Sequence, residues 1–240
     1  MQNLFPKIGT DLTLSQEIVK KLEDIIRQKK VLPGEKLPSE MEMCSMFGVS
    51  RTSLREALQM LSARGLITIR KGSGIYVSNY SSTQVIKPMS LFLELNLDRE
   101  YIIHVMEVRK MFEPNIASLA ALNRTETDIQ KLEQNLEELK NSPIDNFYKQ
   151  GEIDRDFHLI IAEACKNSIV QIIVTPIFEL MPKIRSIVYA YVQTAKDEAI
   201  DFHFKIFEKI KEKDANGAYQ MMIKHLEIAE QHSRKVLDEI

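Results

Sequence analysis

Cysteine is nearly absent from this chain. Cys44 and Cys165 stand far apart and outside any CxxC pattern. That excludes a disulfide framework and a thiolate zinc module, and it leaves two buried, reduced thiols in a cytoplasmic protein as the expectation. Long apolar runs are missing too. No stretch approaches the ~18 uninterrupted apolar residues that a membrane span needs. Met1 to Thr10 has no basic region followed by an apolar core, so no secretion signal is expected. Repeats and low-complexity tracts are also lacking. Neither sign of charge dominates: the net charge is −2, which by itself does not favour a polyanionic partner.

What is present describes an ordinary globular chain. It has 240 residues, 44% hydrophobic and 28% charged, enough for one large or two modest domains. The charge is unevenly placed. Residues 1–77 hold 12 Lys+Arg against 8 Asp+Glu, or +4, and residues 78–240 hold 20 against 26, or −6. A basic head on an acidic body is oriented toward phosphate.

The head reads as helix, helix, turn, helix, hairpin. Leu14, Ile18, Leu22, Ile25 and Ile26 make one apolar face of a helix from Leu14 to about Lys30, which Val31-Leu-Pro-Gly34 ends. Ser39 caps a short second helix, with Glu40 and Glu42 in its dipole-favoured first turn. Gly48 supplies the turn. Ser50 caps a third helix to about Arg64, with Leu54, Ala57, Leu58 and Leu61 inward, and Gly65 stops it. The period then changes to β in Leu66–Arg70 and Gly74–Val77, around a Lys71-Gly-Ser-Gly74 turn. This is the outline of a winged helix-turn-helix over residues 1–77. A polar linker follows at 78–84.

Residues 85–240 carry only helical signals, so the fold class is mainly α: a winged helix with its small hairpin, then an all-α antiparallel bundle. Helices are expected over Glu100–Ala121, Thr125–Lys140, about Pro143–Lys166, Ser168 to about Ala195, Lys196–Lys213 and Ala215–Asp238. Thr125 and Asp128 form an approximate capping box. Pro176 and Pro182 kink or divide the Ser168 helix.

Two constellations carry chemistry. The first is Ser50-Arg-Thr-Ser-Leu-Arg55, at the start of the helix that a helix-turn-helix inserts into the major groove. Arg51 and Arg55 share one helical face. Each can bridge guanine O6 and N7 or clamp a phosphate, and Ser50, Thr52 and Ser53 suit phosphate contact. Lys71 and Gly72 form the tip of the wing. A merely solvated face explains two arginines alone, but not the arginines together with the turn, cap, hairpin and tip.

The second is Asp154-Arg-Asp-Phe-His158 with His203 and His225. Asp154 and His158 meet on one helical face. His203 and His225 are equidistant from Asp214, within the best turn of that region, so a helical hairpin brings them level. One carboxylate and three imidazoles suit Zn²⁺, Ni²⁺ or Mn²⁺. The alternative is that each histidine is an ordinary surface or core residue. His104 and His232 fall outside the pattern, and Met221-Met222 reads as core filler.

The head resembles the GntR family of bacterial regulators in Pro33-Gly-Glu-Lys-Leu-Pro-Ser-Glu40, Phe47-Gly-Val-Ser-Arg-Thr-Ser-Leu-Arg-Glu-Ala57, Leu61–Gly65 and Lys71-Gly-Ser-Gly74. Residues 100–232 resemble the FCD sensor domain of its FadR-like subgroup. They do so in Glu107-x-Arg109-x-x-x-Glu113 with Ser118–Ala121, in Asp154-x-x-Phe-His158 with Ala164 and Asn167, and in His203, Asp214, Ala218, Met222 and His225-Leu226. The resemblance implies double-stranded DNA contact by Ser50, Arg51, Thr52, Ser53 and Arg55, with the wing-tip Gly72 entering the minor groove; Ser39 and Lys71 are expected DNA contacts beside them. It implies a metal held by Asp154, His158, His203 and His225, and a small organic acid on that metal with Arg109 as partner; Arg109 also stands where it can pair with Glu113. It further implies a homodimer on a palindromic operator, acting as a repressor. One position departs from the pattern: Met41 stands where the family often has an arginine, and methionine donates nothing to DNA. An enzyme using the metal to activate water is the competing class, but no further His or carboxylate is placed as a general base, and the head would go unexplained. A winged helix used only for protein contacts would leave the Arg51/Arg55 face unexplained.

Overall fold

In the computed structural model, residues 12–143 and 146–239 are described. The chain forms two compact units that divide between Gln84 and Val85.

In the first unit, α1 (Leu14–Arg27) starts at a full capping box: the Thr13 hydroxyl accepts from the Gln16 amide, and the Gln16 side chain accepts from the Thr13 amide. It ends three residues before the expected stop, because Lys29 turns into the left-handed region at φ 54°. α2 (Glu40–Phe47) starts at Ser39 and ends at Gly48, whose φ of 66° no β-carbon favours. α3 (Arg51–Ala63) starts at Ser50. Strands β1 (Ile67–Arg70) and β2 (Gly74–Val77) pair antiparallel, with Ile67 opposite Val77 and Arg70 opposite Gly74. A bridge from Lys36 to Tyr76 adds a third short edge to this wing. Leu22, Leu54, Leu58, Leu61, Ile67 and Val77 are among the core of the unit.

The second unit is helical throughout its described residues. α4 (Thr83–Leu95) begins in the last two residues of the expected linker and had no clear signal in the sequence. There follow α5 (Arg99–Asn123), α6 (Glu126–Asn141), α7 (Phe147–Ala164), α8 (Ser168–Phe178), α9 (Met181–Tyr191), α10 (Ala195–Lys211) and α11 (Ala215–Glu239). The segment expected as one kinked helix is two: α8 stops after Pro176, and Pro182 stands in the first turn of α9, where its missing N–H is harmless. α10 and α11 form the expected hairpin. Lys213 takes φ 59° at the turn, and Asp214 Oδ1 accepts from the Gly217 amide at 2.8 Å.

α5 packs on α11, α7 on α9, and α10 on α11. Their contact surfaces form a core around Ala117, Ala120, Phe157, Ile206, Met222 and Leu226. α7 and α9 approach especially closely at Gly151. A β-carbon there would lie 2.8 Å from the Pro182 carbonyl oxygen and 2.9 Å from its Cα. Asp154 follows Gly151 by one turn and Arg185 follows Pro182 by one turn, so the close approach brings those two side chains together.

Candidate nucleic-acid interface and metal centre

The start of α3 stands open. Arg51 and Thr52 are exposed and Ser53 is half-buried, while Leu54, Ala57, Leu58 and Leu61 anchor the opposite face. Ser50 Oγ accepts from the Ser53 amide at 3.2 Å and lies 3.0 Å from Ser53 Oγ. The Ser39 amide and hydroxyl both donate to Glu42 at 2.7 Å. These bonds, the hydroxyl's first, hold the Glu42 carboxyl below its usual range. Arg55 is exposed, and its Nε donates to Glu40 Oε2 at 2.8 Å. Met41 is exposed as well. At the wing tip Gly72 takes φ 75° with open space around it, and Lys71 beside it is exposed. The Arg70 guanidinium lies 4.6 Å from the Tyr76 ring centre, a cation–π distance. The tip and the start of α3 are thus cationic and solvent-facing.

The second site is buried in the bundle. Three helices each aim an i, i+4 pair at one centre: Arg109 and Glu113 from α5, Asp154 and His158 from α7, Arg185 and Tyr189 from α9. His203 comes from α10 and His225 from α11. All eight residues are buried. One ring nitrogen from each of His158, His203 and His225 lies within 4.8 Å of the other two. Asp154 Oδ1 is 3.7 Å from His203 Nε2, and Asp154 Oδ2 is 4.0 Å from His158 Nε2. The four residues read from the sequence are therefore gathered at one point, with Arg109 against them.

The surroundings fix orientation and protonation. His158 Nδ1 lies 2.6 Å from Glu113 Oε2, and its Nε2 is 3.2 Å from Arg109 Nη2. Arg109 Nε donates to Glu113, so the pairing left open above is made, and the guanidinium still reaches His158. Arg185 Nε and the Tyr189 hydroxyl donate to the two oxygens of Asp154, at 3.2 and 2.9 Å. Phe157 stacks on His203 with ring centres 3.9 Å apart. Burial alone would raise the Asp154 carboxyl, but the charges of Arg185 and the neighbouring histidines hold it well below the usual carboxylate range. Burial lowers His203 to about 3 despite the opposing charge of Asp154, and burial with the nearby cationic groups takes His225 well below its ordinary value. Both imidazoles are neutral at physiological pH, the form that donates a lone pair to a metal.

Both ring nitrogens of His203, and Nε2 of His225, are buried without a hydrogen-bond partner. Buried polar atoms rarely go unsatisfied, and a divalent ion at the centre would engage this donor set. The His158–Glu113 contact has the arrangement of a carboxylate that orients a metal-binding histidine. A small recess of about 10 Å³ lies between α9, α10 and α11, with Arg185, Phe202 and His225 among its lining, and there His232 Nε2 lies 3.4 Å from Glu198 Oε2.

Sequence reasoning missed Arg185 and Tyr189. A buried arginine in the apolar run of α9 was the available signal, but its partner lies 31 residues away. It missed the contact of Glu40 with Arg55 for the same reason: the pair is made across two helices.

A winged-helix head joined to a helical bundle with a buried His-carboxylate cluster defines a transcriptional regulator with an internal site fit for a metal. The comparisons with known proteins make this specific. Residues 14–77 match the bacterial regulatory proteins, gntR family, and residues 104–228 match the FCD domain. The HTH-type transcriptional regulator YcbG of Bacillus subtilis, itself uncharacterized, is 30% identical over 228 residues, 95% of this chain and 93% of the relative. The Uxu operon transcriptional regulator of Escherichia coli is 32% identical over 226 residues, 90% and 85% of the two chains. The HTH-type transcriptional repressor NanR of Citrobacter rodentium is 31% identical over 219 residues, 89% and 82%. Among solved structures, Streptococcus agalactiae GntR has the same fold, with TM-score 0.67 at 24% identity over 90% of this chain and 99% of that one. The chain belongs to the GntR family and carries an FCD domain; it is a transcriptional regulator and not an enzyme.

Proposed function

We propose that this regulator is a repressor that reads a palindromic operator as a homodimer, and that a small organic acid at a divalent metal in its FCD domain controls that binding. The head at 1–77 supplies Ser39, Ser50, Arg51, Thr52, Ser53, Arg55, Lys71 and Gly72 to DNA; 78–84 links it to the sensor at 85–240. The repressor role is supported by the likeness to the NanR repressor. A palindrome read by two copies places the two reading helices about one helical turn apart.

The observation that carries the sensor reading is the set of buried, neutral, unpartnered imidazole nitrogens around Asp154. Asp154, His158, His203 and His225 would hold Zn²⁺, Ni²⁺ or Mn²⁺. When bound, the ion supplies a Lewis-acid anchor for a carboxylate oxygen. Arg109 suits the acid's second oxygen: one of its terminal nitrogens lies 3.4 Å from the Met181 sulfur, a weak acceptor that a carboxylate would readily replace. A coupling of only ~1–3 kcal/mol between the acid and DNA changes operator occupancy usefully.

The test is the metal content of the purified protein. Elemental analysis should find about one ion per chain in the wild type and none in a His203→Ala, His225→Ala variant. Equal content in both would sink the assignment. Gel shifts with and without that ion, titrated with a panel of hydroxy and dicarboxylic acids, then test the control of DNA binding.

A further inference from the structure

We propose that Glu40 is a positioning residue for base readout: it holds Arg55 so that the two terminal nitrogens of the guanidinium face a guanine, which makes Arg55 a pre-set base-selecting residue of the head. This rests on the DNA-reading role assigned to the head above.

The geometry is specific. Glu40 opens α2 and Arg55 lies in the second turn of α3, and their side chains meet across the two helices at 2.8 Å. The nitrogen engaged is Nε, on the inner side of the guanidinium. Among the described residues, no hydrogen bond or ion pair engages the two outer nitrogens of Arg55. Those are the nitrogens that form a fork on guanine O6 and N7. The Arg55 side chain is 64% exposed and that of Glu40 36%, so the carboxylate is the more covered partner of the pair while the arginine stays open to solvent. An unheld arginine loses rotamer freedom when it docks; one held at Nε has lost part of it beforehand. Arg51 differs. Among the described residues, it is exposed and no side-chain hydrogen bond or ion pair holds it in place. Met41, next to Glu40, is exposed and brings no donor.

An incidental surface ion pair predicts the opposite behaviour. A carboxylate near DNA repels phosphate, so removing it should strengthen binding to any duplex. A positioning role predicts weaker binding to the selected sequence alone. The full chain should first be used to select duplexes from a randomised pool. Wild type, E40Q, E40D, R55A and the double variant E40Q/R55A are then titrated on the selected duplex and on a scrambled one. E40Q should lose about tenfold on the selected duplex while holding or gaining affinity for the scrambled one, and its guanine preference at one position should flatten. E40D retains the charge at the start of α2 but falls short of Arg55, and it should lose selected-duplex affinity with no gain elsewhere. In the R55A background, E40Q should add no further loss. Parallel gains for E40Q on both duplexes, full affinity in E40D, or additive losses in the double variant would overturn the proposal. Failure of the wild type to enrich any sequence would instead overturn the DNA-reading role itself.

Discussion

Single residues set the chemistry of both sites. Arg51 and Arg55 are exposed on the face of α3 opposite its buried leucines. Replacing both by alanine should abolish selective operator binding in a gel shift, since each good bidentate contact contributes about 1–3 kcal/mol, and should leave thermal stability unchanged. Asp154 is the opposite case. It is fully buried and accepts from Arg185 and Tyr189. Asp154→Ala leaves Arg185 charged and unpaired in the core. A loss of about 3–5 kcal/mol in urea unfolding is expected, and a loss under 1 kcal/mol would mean that the ion pair is not formed in solution. The single residues of the metal cluster were legible because two local signals coincided, an i, i+4 pair and a hairpin turn. Arg185 and Tyr189 were not, because nothing near them in sequence marks their partner.

At the scale of elements, caps and close approaches decide where helices begin and how they meet. Asp128 receives hydrogen bonds from the Thr125 amide and hydroxyl, and Lys166 Nζ lies 2.6 Å from it. Burial works against its charge, but the bonds from Lys166 and Thr125 outweigh it and lower its carboxyl below the usual value. A depressed carboxylate stabilises the fold above its unfolded pKa of ~3.9 and loses that contribution as pH falls through its folded value. Asp128→Asn should therefore be less stable than wild type by about 1 kcal/mol at neutral pH, and the gap should close in acid. Unfolding curves at several pH values read this; a gap independent of pH would refute it. Gly151 is the other control point. Alanine there would drive α7 from α9 at Pro182, with an expected loss of about 1–3 kcal/mol and weaker metal retention, since Asp154 rides on the same helix. The helix caps were legible from Ser39, Ser50 and Thr125. The bridge from Lys36 to Tyr76 was not, because a single pairing leaves no period to read, and α4 went unmarked beside a polar linker.

For the whole molecule, the metal reading predicts a coupled stability. An ion that binds only the folded state contributes about 2.7 kcal/mol at a hundredfold excess over its Kd. Chelation should lower the midpoint of the sensor domain by about 5–10 °C, and the His203→Ala, His225→Ala variant should not respond to the chelator. The homodimer reading predicts a solution mass near twice the 27.7 kDa chain in light scattering. By itself the sequence determined the order of elements, the cationic reading surface and the four residues of the cluster. Caps, turns and helical periods act over a few residues and leave a local record. Tertiary structure alone decided that Glu113 orients His158, that Arg185 and Tyr189 hold Asp154, that Glu40 holds Arg55, and that α7 and α9 touch at Gly151. Each of these is a contact between helices, fixed by packing geometry that no short stretch of chain encodes.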